Sequence, residues 1–292
     1  MTRTFHYTRV RINENGTVVD HSGTNSPDVL GEQAVEFIYR VGPKPKPFFL
    51  KLSFVTPHKG KPHTDGDGGV SSPWVPRRDR GTYAGPAHPE GPAYNELDMS
   101  DKTGPSADLS PLGPMQEARV AVRYQQRRES LASADRAVRR VLAALDRFGR
   151  ASNTYVVFTS DNGFLAGEHR LAYGKEQPYE PASRVPLLIA GPGVPAGNTW
   201  TAPAGMQDLA PTILDMAGVP ADTVDVELDG QSVLPTAERP EGDLGRAVLL
   251  EQADLPIDPE NGGEVRYSAR RTVEETDWVY HAAVTQQWKL IE

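Results

Sequence analysis

The sequence predicts an α/β fold, a sheet covered on both faces by helices. Three observations lead there. Residues 48–55, 154–159 and 185–190 are almost wholly apolar short runs. Such runs read as strands buried on both faces. A long stretch with helical spacing, 115–148, separates the first run from the second. The last two runs end in glycine-bearing turns, Ser160-Asp161-Asn162-Gly163 and Gly191-Pro192-Gly193. Strands alternating with helices in this way build an α/β sheet.

In chain order, residues 1–30 are polar and without period, apart from Asn15-Gly16. That dipeptide predicts a hairpin tip between 9–13 and 17–20. Residues 29–40 predict a short amphipathic helix, stopped by Pro43, Pro45 and Pro47. The strand at 48–55 ends at Thr56-Pro57-His58. Residues 59–114 are rich in Gly, Pro and Asp and read as a long surface excursion. In the helix at 115–148, Leu131, Ala134, Val138, Val141, Leu145 and Phe148 line one face. Pro114 suits its first turn and Gly149 its C-terminal cap. Arg127, Arg128, Arg136, Arg139 and Arg140 form an opposite face, either solvated or able to meet a polyanion. After the strands at 154–159 and 185–190, a short helix at 208–217 ends at Gly218. Residues 247–250, 278–283 and 288–292 read as further strands, and no internal repeat is evident.

Composition narrows the function. Hydrophobic residues are 38% and charged residues 24% of 292, ordinary for a globular chain. The net charge of −8 argues against nucleic acid or an anionic membrane as main partner. There is no Cys, which excludes disulfides, thiolate metal sites and a thiol nucleophile within these residues. No apolar run approaches the ~20 residues of a membrane span. The opening MTRTFHYTRVRINENG lacks the apolar core of a signal peptide.

In open α/β sheets, sites form beyond the carboxyl ends of strands. Asp161, Asn162 and His58 all follow predicted strands. A carboxylate beside an amide oxygen suits Ca²⁺ or Mg²⁺. The same pair also suits an Asx turn leaving a strand. Lys175 could hold a phosphate or sulfate as a point charge, or be a solvated side chain. His58 and His169 are weaker candidates taken singly.

Taken together, the elements resemble the sulfatase family of the alkaline-phosphatase-like superfamily. DNG is followed by a GK-x-x-x-YE element and then by VPLLIAGPG. FFLKLSFVTPH, MQDLAPTILDMAG and LDGQSVLP are similar to family elements and run in the family's order. YNELDMSDK, RRESLASADRAV and INENGTVVDHSGTNSPDVL resemble bacterial enzymes of the N-acetylglucosamine-6-sulfatase type. The resemblance implies a mostly parallel or mixed central sheet flanked by helices, and a small C-terminal β subdomain. It places a partial catalytic domain at 1–250 and the beginning of that subdomain at 251–292. It implies a divalent metal, Ca²⁺ or Mg²⁺, with Asp161 and Asn162 among its ligands. It implies contact of His58 and Lys175 with the sulfate during catalysis, with His169 as a further substrate-binding residue. It implies a sulfate ester as substrate, among them sulfated glycans, and export for many full-length relatives.

The family's nucleophile is a formylglycine made from Cys or Ser in a Cys/Ser-x-Pro/Ala-x-Arg motif. These residues contain no Cys and no Ser-x-Pro/Ala-x-Arg, and Ser71-Ser72-Pro73-Trp74-Val75 has the proline without the arginine. The segment that carries the nucleophile is therefore expected to be absent. Four readings follow: a sulfuric ester hydrolase by descent, a non-catalytic binder of sulfated glycans, a phosphoesterase with another nucleophile, and a remnant.

Overall fold

The computed structural model describes residues 6–83, 85–102, 106–235, 242, 245–254, 257–258, 264–265 and 277–292. The chain divides into two compact units. One comprises Met1–Thr154 with Leu165–Gly174, the other Tyr155–Phe164 with Lys175–Glu292.

The first unit opens with a hairpin of β1 (Arg11–Glu14) and β2 (Thr17–Asp20), paired from Arg11↔Asp20 to Glu14↔Thr17. Asn15 and Gly16 both have positive φ, 53° and 99°, which a two-residue hairpin loop of this hand requires. Helix α1 (Ser26–Val41) follows, with Pro27 in its first turn. Helix α2 (Pro114–Arg147) is 34 residues long, about 51 Å at 1.5 Å per residue. Both helices match the predicted spans to within a few residues. They pack along a core of Ile38, Ala144 and Leu145, flanked by Val35, Phe37, Val141 and Phe148. A Cβ built on Gly31 falls 2.5 Å from the Cβ of Ala137, so the crossing needs both residues small. Gly31→Leu is expected to cost about 1–3 kcal/mol by overpacking. Leucine is a good helix former, so the cost reports the overlap. Urea unfolding checks this, and an unchanged midpoint would show that the helices part freely.

The strand expected at 48–55 forms no ladder among the described residues. Phe48 and Leu50 pack on the α1–α2 core, while Phe49 is 66% exposed. The run is apolar because alternate residues cover two helices, and not because a sheet encloses it. The excursion after it has its own polar interior. Asp67 accepts from the N–H of Thr64 and Gly69 at 3.2 and 2.8 Å, and the Thr64 hydroxyl accepts from Val75 N at 3.0 Å.

The arginine face of α2 is less solvated than its sequence suggests. Arg136 forks onto buried Asp79, with both N···O distances 2.7 Å, and Ser133 donates to the same carboxylate at 3.0 Å. Burial pushes the Asp79 carboxyl up, but Arg136 and Ser133 outweigh it and hold it below the usual range. Arg128 lies over the rings of Tyr83 and Tyr124. Arg127 donates to Pro57 O at 3.0 Å. Arg139 keeps to the surface, paired with Asp135 four residues back.

In the second unit, β3 (Val156–Thr159) and β4 (Leu187–Ala190) pair antiparallel, Val156↔Ala190 to Thr159↔Leu187. Their facing residues Phe158 and Leu188 are 50% and 62% exposed, against the expectation of strands covered on both faces. Among the described residues neither strand has a second neighbour, so the outer edges of this ladder are unpaired. Helix α3 is the single turn Glu180–Ser183, and α4 (Leu209–Met216) ends at Gly218, φ 66°, as predicted. Strands β5 (Val248–Asp254), β8 (Asp277–Val284) and β9 (Lys289–Ile291) make an antiparallel sheet in the order β5-β8-β9. A short pair, β6 (Ile257–Asp258) and β7 (Glu264–Val265), lies between them in sequence. No helix among the described residues is long and apolar enough to cross a membrane.

Candidate functional site

The turn after β3 is fastened by backbone. Gly163 N donates to Ala182 O at 2.8 Å and Phe164 N to Pro181 O at 2.6 Å. A Cβ on Gly163 would overlap the Pro181 carbonyl, so only glycine allows α3 this close. Asp161 and Asn162 are thereby set at the strand's exit. Asp161 is exposed, and its Oδ1 accepts from Asn162 N at 2.9 Å. Asn162 Nδ2 donates to Gly163 O at 2.7 Å. Lys175 Nζ donates to Asn162 Oδ1 at 2.9 Å across thirteen residues of sequence. An ammonium only donates, so the amide oxygen must face the lysine. Two of the predicted residues are thus in direct contact.

The donor chemistry of Asp161 and Asn162 fits a hard divalent cation. Both carry side-chain oxygens, fewer than the 6–8 that Ca²⁺ takes, and the Asn162 oxygen also accepts from Lys175. Among the described residues, no group of three His, Asp or Glu side chains is placed to hold a metal ion.

His58 and His169 belong to the first unit. His58 Nδ1 contacts Lys59 O at 2.8 Å. A carbonyl only accepts, so Nδ1 carries the hydrogen. His169 Nδ1 pairs with Glu96 Oε2 at 2.7 Å, and Lys102 reaches the other oxygen of Glu96 at 3.2 Å. The bond to His169, and then Lys102, hold the Glu96 carboxyl below its usual range. His169 and Arg170 both have positive φ, 52° and 60°, costly for residues with a side chain. Arg170 meets that cost by donating to Glu96 O, Leu97 O and Leu109 O at 2.8, 2.9 and 2.6 Å. Glu96 lies in YNELDMSDK, which the sequence marks only by resemblance. Nothing in the sequence marks Arg170.

A family model described as "Sulfatase" matches residues 2–219, more than half of the chain. The chain belongs to the sulfatase family. It is 30% identical over 231 residues to sulfatase ppz1 of Metarhizium majus, covering 79% of this chain and 53% of that one. It is 39% identical over 112 residues to human N-acetylglucosamine-6-sulfatase, covering 38% of this chain and 20% of that one. The chain thus spans about half, or less, of the curated relatives it matches. Among solved structures it is similar to BT4656, solved in complex with its substrate D-glucosamine-2-N,6-O-disulfate. The TM-score is 0.65 at 22% identity, covering 99% of this chain and 64% of that one. At that identity the likeness shows the fold, which is alkaline-phosphatase-like.

Two sulfatase-like elements of the sequence, MQDLAPT and LDGQSVLP, meet at one buried carboxylate. Asp208 is fully buried and is gripped by Arg246 at 2.6 and 2.8 Å. Gly205 N and Gln231 N donate to its two oxygens at 2.7 and 3.0 Å. Thr212 Oγ1 donates to Asp208 O at 2.6 Å and accepts from Val233 N at 2.9 Å. Gly230 leaves no room for a Cβ against Gln207 O. These sulfatase motifs are therefore a structural clasp in this chain. A second tie, unsuspected from sequence, joins β9 to α3: Lys289 Nζ reaches Pro178 O at 2.8 Å and pairs with Glu180 at 2.5 Å.

Proposed function

We propose that this chain carries the sulfate- and metal-holding side of a sulfuric ester hydrolase acting on sulfated sugars or aryl sulfates. The observation that supports it is the Lys175–Asn162 contact, 2.9 Å. It joins the residue assigned to the sulfate with a residue assigned to the metal. Lys175 and His58 hold the ester oxygens, and either can assist the leaving alcohol. His169, set by Glu96, is a further contact to the sugar. Asp161 and Asn162 are two oxygen ligands for Ca²⁺ or Mg²⁺. Such an ion, when bound, polarises the ester and stabilises the charge that develops on it. The names of the human relative and of the substrate in the BT4656 complex favour a sugar sulfate.

The family's formylglycine does not fit the residues present. No Cys and no Ser-x-Pro/Ala-x-Arg occur in the chain. No nucleophilic step is therefore assigned, and the same observation favours a second reading, a sulfated-glycan binder without turnover. Without a nucleophile covalent catalysis cannot start. The purified chain is expected to release no phenol from a chromogenic aryl sulfate above background, with or without Ca²⁺. Turnover abolished by Lys175→Ala would show that another residue serves as nucleophile.

A further inference from the structure

We propose that Tyr7 and Arg127 are positioning residues for His58, which they fix by pinning the peptide planes on either side of it. The proposal rests on the reading of His58 as a sulfate-binding residue. Arg127 Nη1 donates to Pro57 O at 3.0 Å, which holds the plane before His58. The Tyr7 hydroxyl donates to His58 O at 2.7 Å, which holds the plane after it. Both backbone torsions of His58 are thereby set by side chains from distant elements, 51 residues away for Tyr7 and 70 for Arg127 from Pro57.

Three further contacts complete the arrangement. His58 N donates to Val55 O at 2.8 Å. The Nδ1–H to Lys59 O contact, 2.8 Å, fixes the ring. Thr56 Oγ1 donates to Ser130 Oγ at 2.8 Å, anchoring the turn's first residue to α2. A turn that only had to reverse the chain would need none of the distant donors.

The two donors suit a fixed role. Tyr7 is 1% exposed, and burial pushes its hydroxyl well above the usual range, so it stays a donor throughout the working range of pH. Burial lowers Arg127 to about 10, which leaves it cationic at neutral pH. Its guanidinium sits at the residue before His58. Deleting one such hydrogen bond strands a half-buried carbonyl, and the turn relaxes.

The test uses the full 292-residue chain. Calorimetry with D-glucosamine 6-sulfate compares wild type with Tyr7→Phe, Arg127→Lys, Arg127→Met and His58→Ala. Thermal melting of each variant accompanies it. Tyr7→Phe is expected to weaken binding roughly five- to tenfold, the size of one lost hydrogen bond, with a thermal midpoint close to wild type. Arg127→Met is expected to weaken it more, and Arg127→Lys, which keeps one donor, to recover part of the loss. If Arg127→Met fails to fold, Tyr7→Phe and Arg127→Lys carry the test. Wild-type affinity in both of those, with weakened binding in His58→Ala, would overturn the proposal and leave the site reading intact. Wild-type affinity in His58→Ala would overturn the site reading and the proposal with it. If the wild-type chain does not bind the sugar, the site reading fails, and ring-nitrogen NMR decides the positioning. One Nδ1–H tautomer in wild type with averaged tautomers in Tyr7→Phe upholds it. The same single tautomer in both overturns it.

Discussion

Replacing Asp208 by alanine is expected to remove about 3–5 kcal/mol of stability, the cost of breaking one side of a buried ion pair. A domain has only about 5–15 kcal/mol in total, so the second unit should be largely unfolded at moderate urea. The size follows from what is left behind. Arg246, with a side chain 13% exposed, would lose its counter-charge. The N–H groups of Gly205 and Gln231 would lose their acceptors as well. Asp208→Asn keeps the shape and should cost less. The carboxyl also gives the clasp a pH dependence. Burial pushes Asp208 up, but Arg246 and the two N–H groups outweigh it, and its folded pKa lies below the usual value. A depressed folded pKa gives stability that is fully present above the unfolded value, about 3.9. That stability is lost as pH falls through the folded pKa. Urea midpoints of wild type and Asp208→Asn should therefore differ most near neutrality and converge in acid. A constant gap down to about pH 2 would mean that the carboxylate's charge is not what holds the clasp.

Lys175→Ala is expected to weaken binding of D-glucosamine 6-sulfate roughly ten- to hundredfold while leaving the melting temperature nearly unchanged. A hydrogen bond to a charged group contributes about 1.5–3 kcal/mol, and 1.4 kcal/mol is a factor of ten. The side chain is half-buried and makes one side-chain hydrogen bond among those described, to Asn162. Its removal therefore costs the fold little. Lys175→Arg keeps the charge but moves it, and should fall between the two. Equal affinity in wild type and Lys175→Ala would leave Lys175 as a tie for the Asn162 amide and remove it from the sulfate site.

The sequence made local features legible and left distant ones hidden. Asn15-Gly16 announced its hairpin because the turn's chemistry lies within two residues. The α2 stripe and Gly218 announced their helices by period and cap. Asn162 and Lys175 touch across thirteen residues of sequence. Residues 48–55 misled because an apolar run says that cover exists and not what provides it. The Phe158–Leu188 face misled for the same reason, with less cover than the composition promises. The Arg136–Asp79 fork spans 57 residues and the Asp208–Arg246 clasp 38. Ion pairs at such separations leave no periodic trace. Tyr7 lies in a polar stretch without pattern, and its hydroxyl gains meaning only once His58 is beside it.

Helix α2 works as a single rail to which the chain from 57 to 81 is buttoned at intervals. Pro57 fastens to Arg127, Ser71 to Arg123, Ser72 to Gln126, Asp79 to Arg136 and Gly81 to Glu129. Lengthening the chain between buttons costs little entropy, since doubling a loop costs only about 0.6 kcal/mol in closure. What resists it is the excursion's own bonds, Tyr7 N to Lys61 O and Val75 N to Thr64 Oγ1. Insertions and deletions that spare those bonds are expected to leave the rail where it is. The exposed chain between the fastenings can therefore diverge between descendants while the packing along α2 is inherited unchanged.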